Sequence, residues 1–346
     1  MRFRPSAVAA AVLTLVAAVP ADAARYRYAR GRATNEGGLF VFVEGALTNP
    51  RNTDTVIAVE EVVQDVPGGV DSLTTIRPSW SEDPAGRLGI GYRWPGGSVL
   101  TATVWGYQTE ARAIQDGTAG GTLHFTVGPP IFHGGSYVGN SGAPGFADIL
   151  TEIQAQTGDI SWGGRHGFTD AFTMEWSVGL QVATYEETQS GSYDEVDFNN
   201  LAFGQNSFAA DKHHKAEMAG GRVAARGSYR FGRFDLDGGV ALSLLDGKID
   251  ATSSLVPTGT TNATTTPASF ASIEDDGRSG SIRTVDFALG YHFCGERCEV
   301  YVGWEESTWE EIAADLLRNL PGTSAPLASR DAVSFSGYKL GFRWLF

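Results

Sequence analysis

The chain has 346 residues with 40 Asp+Glu against 26 Lys+Arg, a formal charge of −14, 44 Gly and 2 Cys. So acidic a chain does not seek nucleic-acid phosphates, which excludes a nucleic-acid partner. Glycine at about 13%, nearly twice the usual ~7%, leans towards β-structure.

At the N-terminus Arg2 and Arg4 precede a small-apolar run over residues 7–19, and Ala21-Asp22-Ala23 supplies the small-x-small site of a signal peptidase. The run is too short for a membrane helix and reads as a secretory signal cut after Ala23, with 24–37 a short periplasmic segment. No later stretch reaches 18 consecutive apolar residues, so an exported chain of this kind is soluble or a barrel.

From residue 38 onward the pattern has period two, and ten strands are expected. The first, 39–46, is ambiguous in face. In the second, Leu88, Ile90, Tyr92 and Trp94 oppose Arg87, Gly89, Gly91 and Arg93. Strands near 99–109 and 147–158 follow with weaker alternation. The fifth sets Phe172, Met174, Trp176, Val178, Leu180 and Val182 against Thr173, Glu175, Ser177, Gly179 and Gln181. Val223, Ala225, Tyr229 and Phe231 then oppose Arg222, Arg226, Ser228 and Arg230; Leu236, Val240, Leu242 and Leu244 oppose Asp235, Asp237, Ala241 and Ser243. Val285, Phe287, Leu289, Tyr291 and Phe293 oppose Asp286, Ala288, Gly290 and His292. A weaker strand near 299–309 precedes the last, where Tyr338, Leu340, Phe342, Trp344 and Phe346 oppose Lys339, Gly341 and Arg343. Successive strand side chains point to opposite faces, so each clear strand has one apolar and one polar face.

The links alternate in length. Those after the odd strands are long, at 47–85, 110–146, 186–214, 246–281 and 310–332; those at 95–97, 232–233 and 294–298 are short, and 159–171 is intermediate. Up-and-down threading with short periplasmic turns and long outer loops gives this rhythm. The expected fold is therefore all-β, a transmembrane up-and-down antiparallel barrel of ten strands over 38–346, or twelve if 120–127 also pairs. A soluble sandwich would turn the same apolar faces inward; the terminal aromatic strand and the Arg, Gly and Ala of the polar faces favour the membrane.

Several fragments in order along 38–346 resemble one family. They are Gly86-Arg87-Leu88-Gly89-Ile90-Gly91-Tyr92, residues 172–185 around Gly179-Leu180, Ser243-Leu244-Leu245-Asp246-Gly247 and Phe287-Ala288-Leu289-Gly290-Tyr291. Val302-Gly303-Trp304-Glu305 with Trp309, and the Gly341-Phe342 ending, complete the set. Together the chain resembles the Legionella major outer membrane protein family of pore-forming barrels. The resemblance implies an outer-membrane address and pore formation, and supplies no catalytic residues. The acidic stretch 54–65 and the Thr-rich run 257–268 stand outside it.

With apolar faces towards lipid, Arg87, Arg93, Glu175, Arg222, Arg226, Arg230, Asp235, Asp237, Asp286, His292, Lys339 and Arg343 are expected to line the lumen, where charges meet water or one another. Arg222, Arg226 and Arg230 form a basic ladder on one strand face. Ten strands lie near the size that side chains alone can fill, so the lumen is expected to be constricted. It could pass ions and small solutes, or be a salt-bridged plug.

Seven Asp or Glu against two Arg over 47–85, and six against two Lys over 186–215, could take up divalent cations at a lipopolysaccharide-rich surface, or simply be solvated. Cys294 and Cys298, across a tight turn in a chain that passes an oxidising compartment, are expected to form a disulfide. Leu316-Leu317 suggests a short helix in the last outer loop. An enzyme is not expected: Asp211 with His213-His214 lacks a nucleophile or paired carboxylate at matched spacing. No cofactor is expected. The expected partners are outer-membrane lipid and lipopolysaccharide. Passive pore formation leads, a non-conducting adhesive or envelope-structural barrel is the alternative, and a loop-based enzyme comes third.

Overall fold

Alternating side chains favour extended strands, and the computed structural model contains fourteen of them among the residues it describes, 37–51, 58–62, 72–116, 121–125, 137–138, 146–198, 206–260, 269–294, 297–313 and 332–346. They are β1 (Gly38–Arg51), β2 (Ala58–Val62), β3 (Ser72–Ile76), β4 (Asp83–Arg93), β5 (Ser98–Asp116), β6 (Gly121–Phe125) and β7 (Tyr137–Val138). After these come β8 (Phe146–Gly167), β9 (Phe172–Phe198), β10 (Asn206–Phe231), β11 (Phe234–Thr260), β12 (Ser269–Phe293), β13 (Cys298–Glu310) and β14 (Ala332–Leu345).

Ten of the strands form one antiparallel sheet in the order β10-β11-β12-β13-β14-β1-β4-β5-β8-β9, and β9 pairs back onto β10 to close it. Closure leaves no unpaired edge in the spanning region. The last strand meets the first in register, Val43 opposite Phe342 and Phe40 opposite Leu345. Twelve barrel strands are not formed: β6, at the expected 120–127, pairs with β2 in a separate three-stranded sheet. The expected signal peptide, the segment 24–36 and the expected helix near Leu316 lie outside the described residues. So does most of the Thr-rich run.

No helix among the described residues is long and apolar enough to cross a membrane; the crossing is made by strands. The outer wall carries an apolar belt, with Val178 45%, Leu180 72%, Leu236 53%, Phe287 54% and Leu340 59% exposed. Aromatic Phe168, Phe172, Phe231, Phe234, Trp344 and Phe346 crowd its turn-side rim. On β9 the belt runs from Phe172 to Val182, which matches the roughly 9–11 residues a tilted strand needs to span hydrocarbon. Arginine in place of Val178, near mid-belt, is expected to destabilise the folded barrel by about 2–4 kcal/mol. The same change at Thr188, outside the belt, should stay within roughly 0.5 kcal/mol. Denaturant midpoints of the detergent-folded variants measure both, and equal midpoints would place the belt wrongly.

Beyond the belt the strands continue, and their polarity inverts. On β9 the outward residues become Thr184, Glu186 and Thr188, while Ala183, Tyr185 and Tyr193 point inward and are at most 1% exposed. On β11 the inward series changes from Asp235, Asp237 and Ser243 to Leu245, Ile249, Ala251 and Leu255. Water replaces lipid outside, so the apolar face turns to the interior as in a soluble barrel. The ladder of β9 and β10 continues through Thr188↔His213 to Val196↔Asn206. At ~3.3 Å per residue and a ~40° tilt, residues 183–198 carry this wall roughly 40 Å past the belt.

The inversion corrects the expected boundaries. Much of the expected long links 186–214 and 246–281, and the start of 110–146, is continued β-ladder. Residues 147–158, expected to span, form the soluble-like part of β8, with Ile149, Thr151 and Ile153 wholly buried inside. Its lipid-facing part carries Ile160 and Trp162, in what was expected to be a link. The connection to β9 shrinks to 168–171, where Thr169 Oγ1 accepts hydrogen bonds from the Ala171 and Phe172 amides at 3.2 and 2.9 Å.

Candidate functional site in the lumen

The structure places all of the residues expected to line the lumen on the inner face, and joins most of them into one ionic layer at the level of the belt. Lys339 on β14, its side chain 2% exposed, reaches carboxylates on three strands: Asp286 at 3.1 Å, Glu305 at 3.2 Å and Glu44 at 3.7 Å. From β4, Arg87 donates two hydrogen bonds to Glu305, at 2.5 and 2.7 Å, and one to Glu44 at 2.7 Å. Tyr301 also donates to Glu44, at 3.0 Å.

Arg226 on β10 crosses β11 to Asp286 on β12, with Nη2 to Oδ2 at 2.7 Å. The residue between them in register is Gly239. A Cβ there would lie 2.3 Å from Asp286 Oδ1, so only glycine lets the pair close. Gly341 plays the same part beneath Tyr301, whose ring would come within 2.1 Å of a Cβ. This is why arginine and glycine alternate on the inner faces.

Nearer the turns, Arg343 binds Glu299 at 2.9 Å, and Arg93 and Arg165 each stand 3.5 Å from Glu175. Arg230 holds Asp235 through Nε and Nη2, at 2.9 and 3.2 Å, and His292 Nε2 donates to the same carboxylate at 2.6 Å. Asp237 is buried beside Arg226 and Arg343. Arg222 stands apart, facing a cavity.

Above the ionic layer the lumen holds a packed apolar cluster, with buried polar groups such as Thr151, Gln189 and His214 beyond it. Trp309, Tyr185, Phe335, Ile282, Ile153, Leu245, Ile249 and Ile312, each at most 2% exposed, belong to one packed cluster. They come from strands on all sides, and Trp105 lies 6.1 Å from Trp309 and 5.9 Å from Phe335, ring centre to ring centre. The expected ion path along the basic ladder therefore meets an aromatic cluster. Below this core a cavity of about 260 Å³ runs among the ionic groups, lined by Trp309, Gln181, Arg222 and Glu305 and, nearer the turns, by Arg93 and Arg343.

Glu44, Glu299, Tyr301, Glu305, Arg165 and the whole aromatic core were not among the expected site residues. β1 alternates poorly because Phe40 and Phe42 point inward while Val43 and Leu47 point out. In β5 and β13, Trp105, Tyr107 and Trp309 enter the core on the same face as polar groups lower down. A period-two contrast vanishes where both faces are apolar. Glu299, Tyr301 and Glu305 could have been found by continuing inward parity from Trp309.

The expected Asp211/His213/His214 group is split by the strand. His213 points outward and donates to Glu186 at 3.0 Å, Asp211 is exposed, and His214 is buried with Nε2 donating to the Ile312 carbonyl at 3.1 Å. Among the described residues no three His, Cys, Asp or Glu converge as a metal site. On the outer extension, Arg112 donates to both Asp148 oxygens, at 2.7 and 2.5 Å, and this hydrogen bonding holds the Asp148 carboxyl below its ordinary value.

Cys294 and Cys298 are free thiols at the two ends of the β12–β13 turn, where the expectation was a bridge. Their contact with each other makes oxidation a matter of compartment. Protein exported through an oxidising periplasm is expected to lack titratable thiol and to gain two on reduction. Two free thiols in that sample would remove the bridge.

No family model and no curated protein matches the chain. Among solved structures it is similar to the outer membrane protease OmpT from Escherichia coli, at 14% identity and a TM-score of 0.44 over 94% of this chain and 100% of that one. It is also similar to the Pseudomonas putida toluene transporter TodX (8% identity, TM-score 0.27, 89% of this chain and 90% of that one) and to an anion-selective porin from Comamonas acidovorans (12%, 0.23, 90% and 99%). No activity, substrate or ligand is carried over from proteins this distant.

Proposed function

We propose that the protein is a sealed barrel of a bacterial outer membrane, whose spanning part anchors a β-walled extension at the cell surface. The observation that carries this reading is the aromatic core. Trp309, Tyr185 and Phe335 are at most 2% exposed, which supports a closed lumen. Below them cations and carboxylates are cross-linked rather than left to select ions. The role then belongs to the extension, as an adhesive or envelope-structural surface in contact with lipopolysaccharide and, at its acidic outer face, divalent cations.

A second reading is a pore, as the resemblance to the Legionella family implies, which here would open by moving this core. The cavity of about 260 Å³ favours it, because it leaves room for the core to shift. Planar-bilayer recording of the folded, heat-modifiable protein separates the two. The sealed barrel gives a quiet trace. Stable unitary steps that change with Arg226→Glu would replace it by the pore.

A further inference from the structure

The lumen cavity contains two groups that the ionic layer leaves over. Of the charged residues lining it, Arg87 is matched with Glu44 and Glu305, Arg93 with Glu175, Arg226 with Asp286 and Arg343 with Glu299. What remains is one guanidinium, Arg222, and one carboxylate, Asp159. Arg222 has no ion pair or hydrogen-bond partner among the described residues, and Asp159 accepts only from the Thr103 hydroxyl. A guanidinium on the cavity wall with no anion against it keeps its donor fork free for a ligand.

The register gives the spacing. Arg222 pairs with Gly179 on β9, and Asp159 pairs with Gln181 on the same strand. Two strand spacings and an offset of two residues separate their Cα atoms by roughly 12 Å. Both side chains line the same cavity, one from each strand flanking β9. Gln181, 4% exposed, lines the same cavity, and its Oε1 is buried without a hydrogen-bond partner. An unpaired carbonyl oxygen beside a carboxylate is an acceptor pair suited to an ammonium group, and the guanidinium is a fork suited to a carboxylate. Hydroxyls of Thr101, Thr157 and Ser177 line the space around them.

We propose that this cavity binds a small zwitterion of the α-amino-acid class, its carboxylate on Arg222 and its ammonium on Asp159 and Gln181 Oε1. A lone anion would satisfy Arg222 but leave the ligand's charge facing Asp159, and a lone cation would do the reverse. Only a ligand with both charges completes the pairing already made elsewhere in the lumen. The inference is separate from whether the barrel conducts, because the cavity is present in either case.

The test uses the full-length barrel folded in detergent in the presence of glycine, acetate or methylammonium at matched ionic strength, with heat-modifiability on a gel confirming folding. Glycine is expected to raise the unfolding temperature above both single-charge probes. Arg222→Gln and Asp159→Asn should each weaken the apparent glycine affinity by about tenfold or more, the loss of one charge-assisted hydrogen bond. Both variants remove an unpaired charge and are expected to fold. Acetate matching glycine, with Asp159→Asn silent, would reduce the site to an anion site and overturn the zwitterion. No shift with any probe in a folded wild-type barrel would overturn the site altogether.

Discussion

Lys339→Met is expected to destabilise the barrel by about 3–5 kcal/mol, the loss typical of removing one partner from a buried ionic cluster. The ammonium is 2% exposed and touches Glu44, Asp286 and Glu305. Without it, Arg87 and Arg226 are left to neutralise all three carboxylates, and neither guanidinium can move without leaving its present partner. The cost comes from carboxylates kept in a lumen that excludes bulk water, not from the Coulomb energy of one pair. Denaturant unfolding in detergent, followed by the shift between folded and unfolded gel mobility, reads the effect. Lys339→Met combined with Glu305→Gln should recover part of the loss, because one carboxylate charge goes with the ammonium. Arg283→Met is the control: Arg283 is 63% exposed beside Glu310 at 2.8 Å, and an exposed pair contributes at most about 1 kcal/mol. A Lys339→Met barrel with the wild-type midpoint would mean that the lumen is wet and the cluster no more than a set of solvated charges.

The same residues show where a sequence can be read and where it cannot. Phe172 to Val182 and Val285 to Phe293 announce themselves because lipid on one side and ions on the other keep the two faces chemically opposite. That contrast gives strand and face together, and places Arg226, Asp286 and Lys339 on the polar face from sequence alone. Past the belt the outer solvent changes from hydrocarbon to water, and β8, β9 and β11 exchange the polarity of their faces with no turn to mark the place. Thr184 and Glu186 on β9 therefore resemble the start of a loop, although the ladder continues to Val196. Ile149, Thr151 and Ile153 on β8 suggest a spanning strand although they lie beyond it. What fills the lumen is harder still. Trp309 and Phe335 come from the paired strands β13 and β14, but Trp105 on β5 and Tyr185 on β9 reach them only because the sheet closes on itself. No local periodicity encodes a contact across a barrel axis.

Trp309→Ala tests that contact. Removing an indole that is 1% exposed should cost about 3–5 kcal/mol, since the surrounding wall is hydrogen-bonded in a closed ring and can collapse only partly into the space. Trp309 touches both regions that define the sealed reading. It packs 5.6 Å from Phe335 and 6.5 Å from Tyr185, ring centre to ring centre, and it also lines the cavity below. Its loss therefore joins the cavity to the space within the core. Phe335→Ala alone leaves Trp309 over the cavity, so it should destabilise without admitting ions. The double variant Trp309→Ala/Phe335→Ala should let a potassium gradient in proteoliposomes decay faster than wild type, provided that gel mobility shows it folded. A wild-type barrel that leaks as fast as the double variant would locate the barrier elsewhere, or nowhere. Wild type holding the gradient while the double variant releases it would assign the seal to these two rings, because the ionic layer beneath them is the same in both proteins.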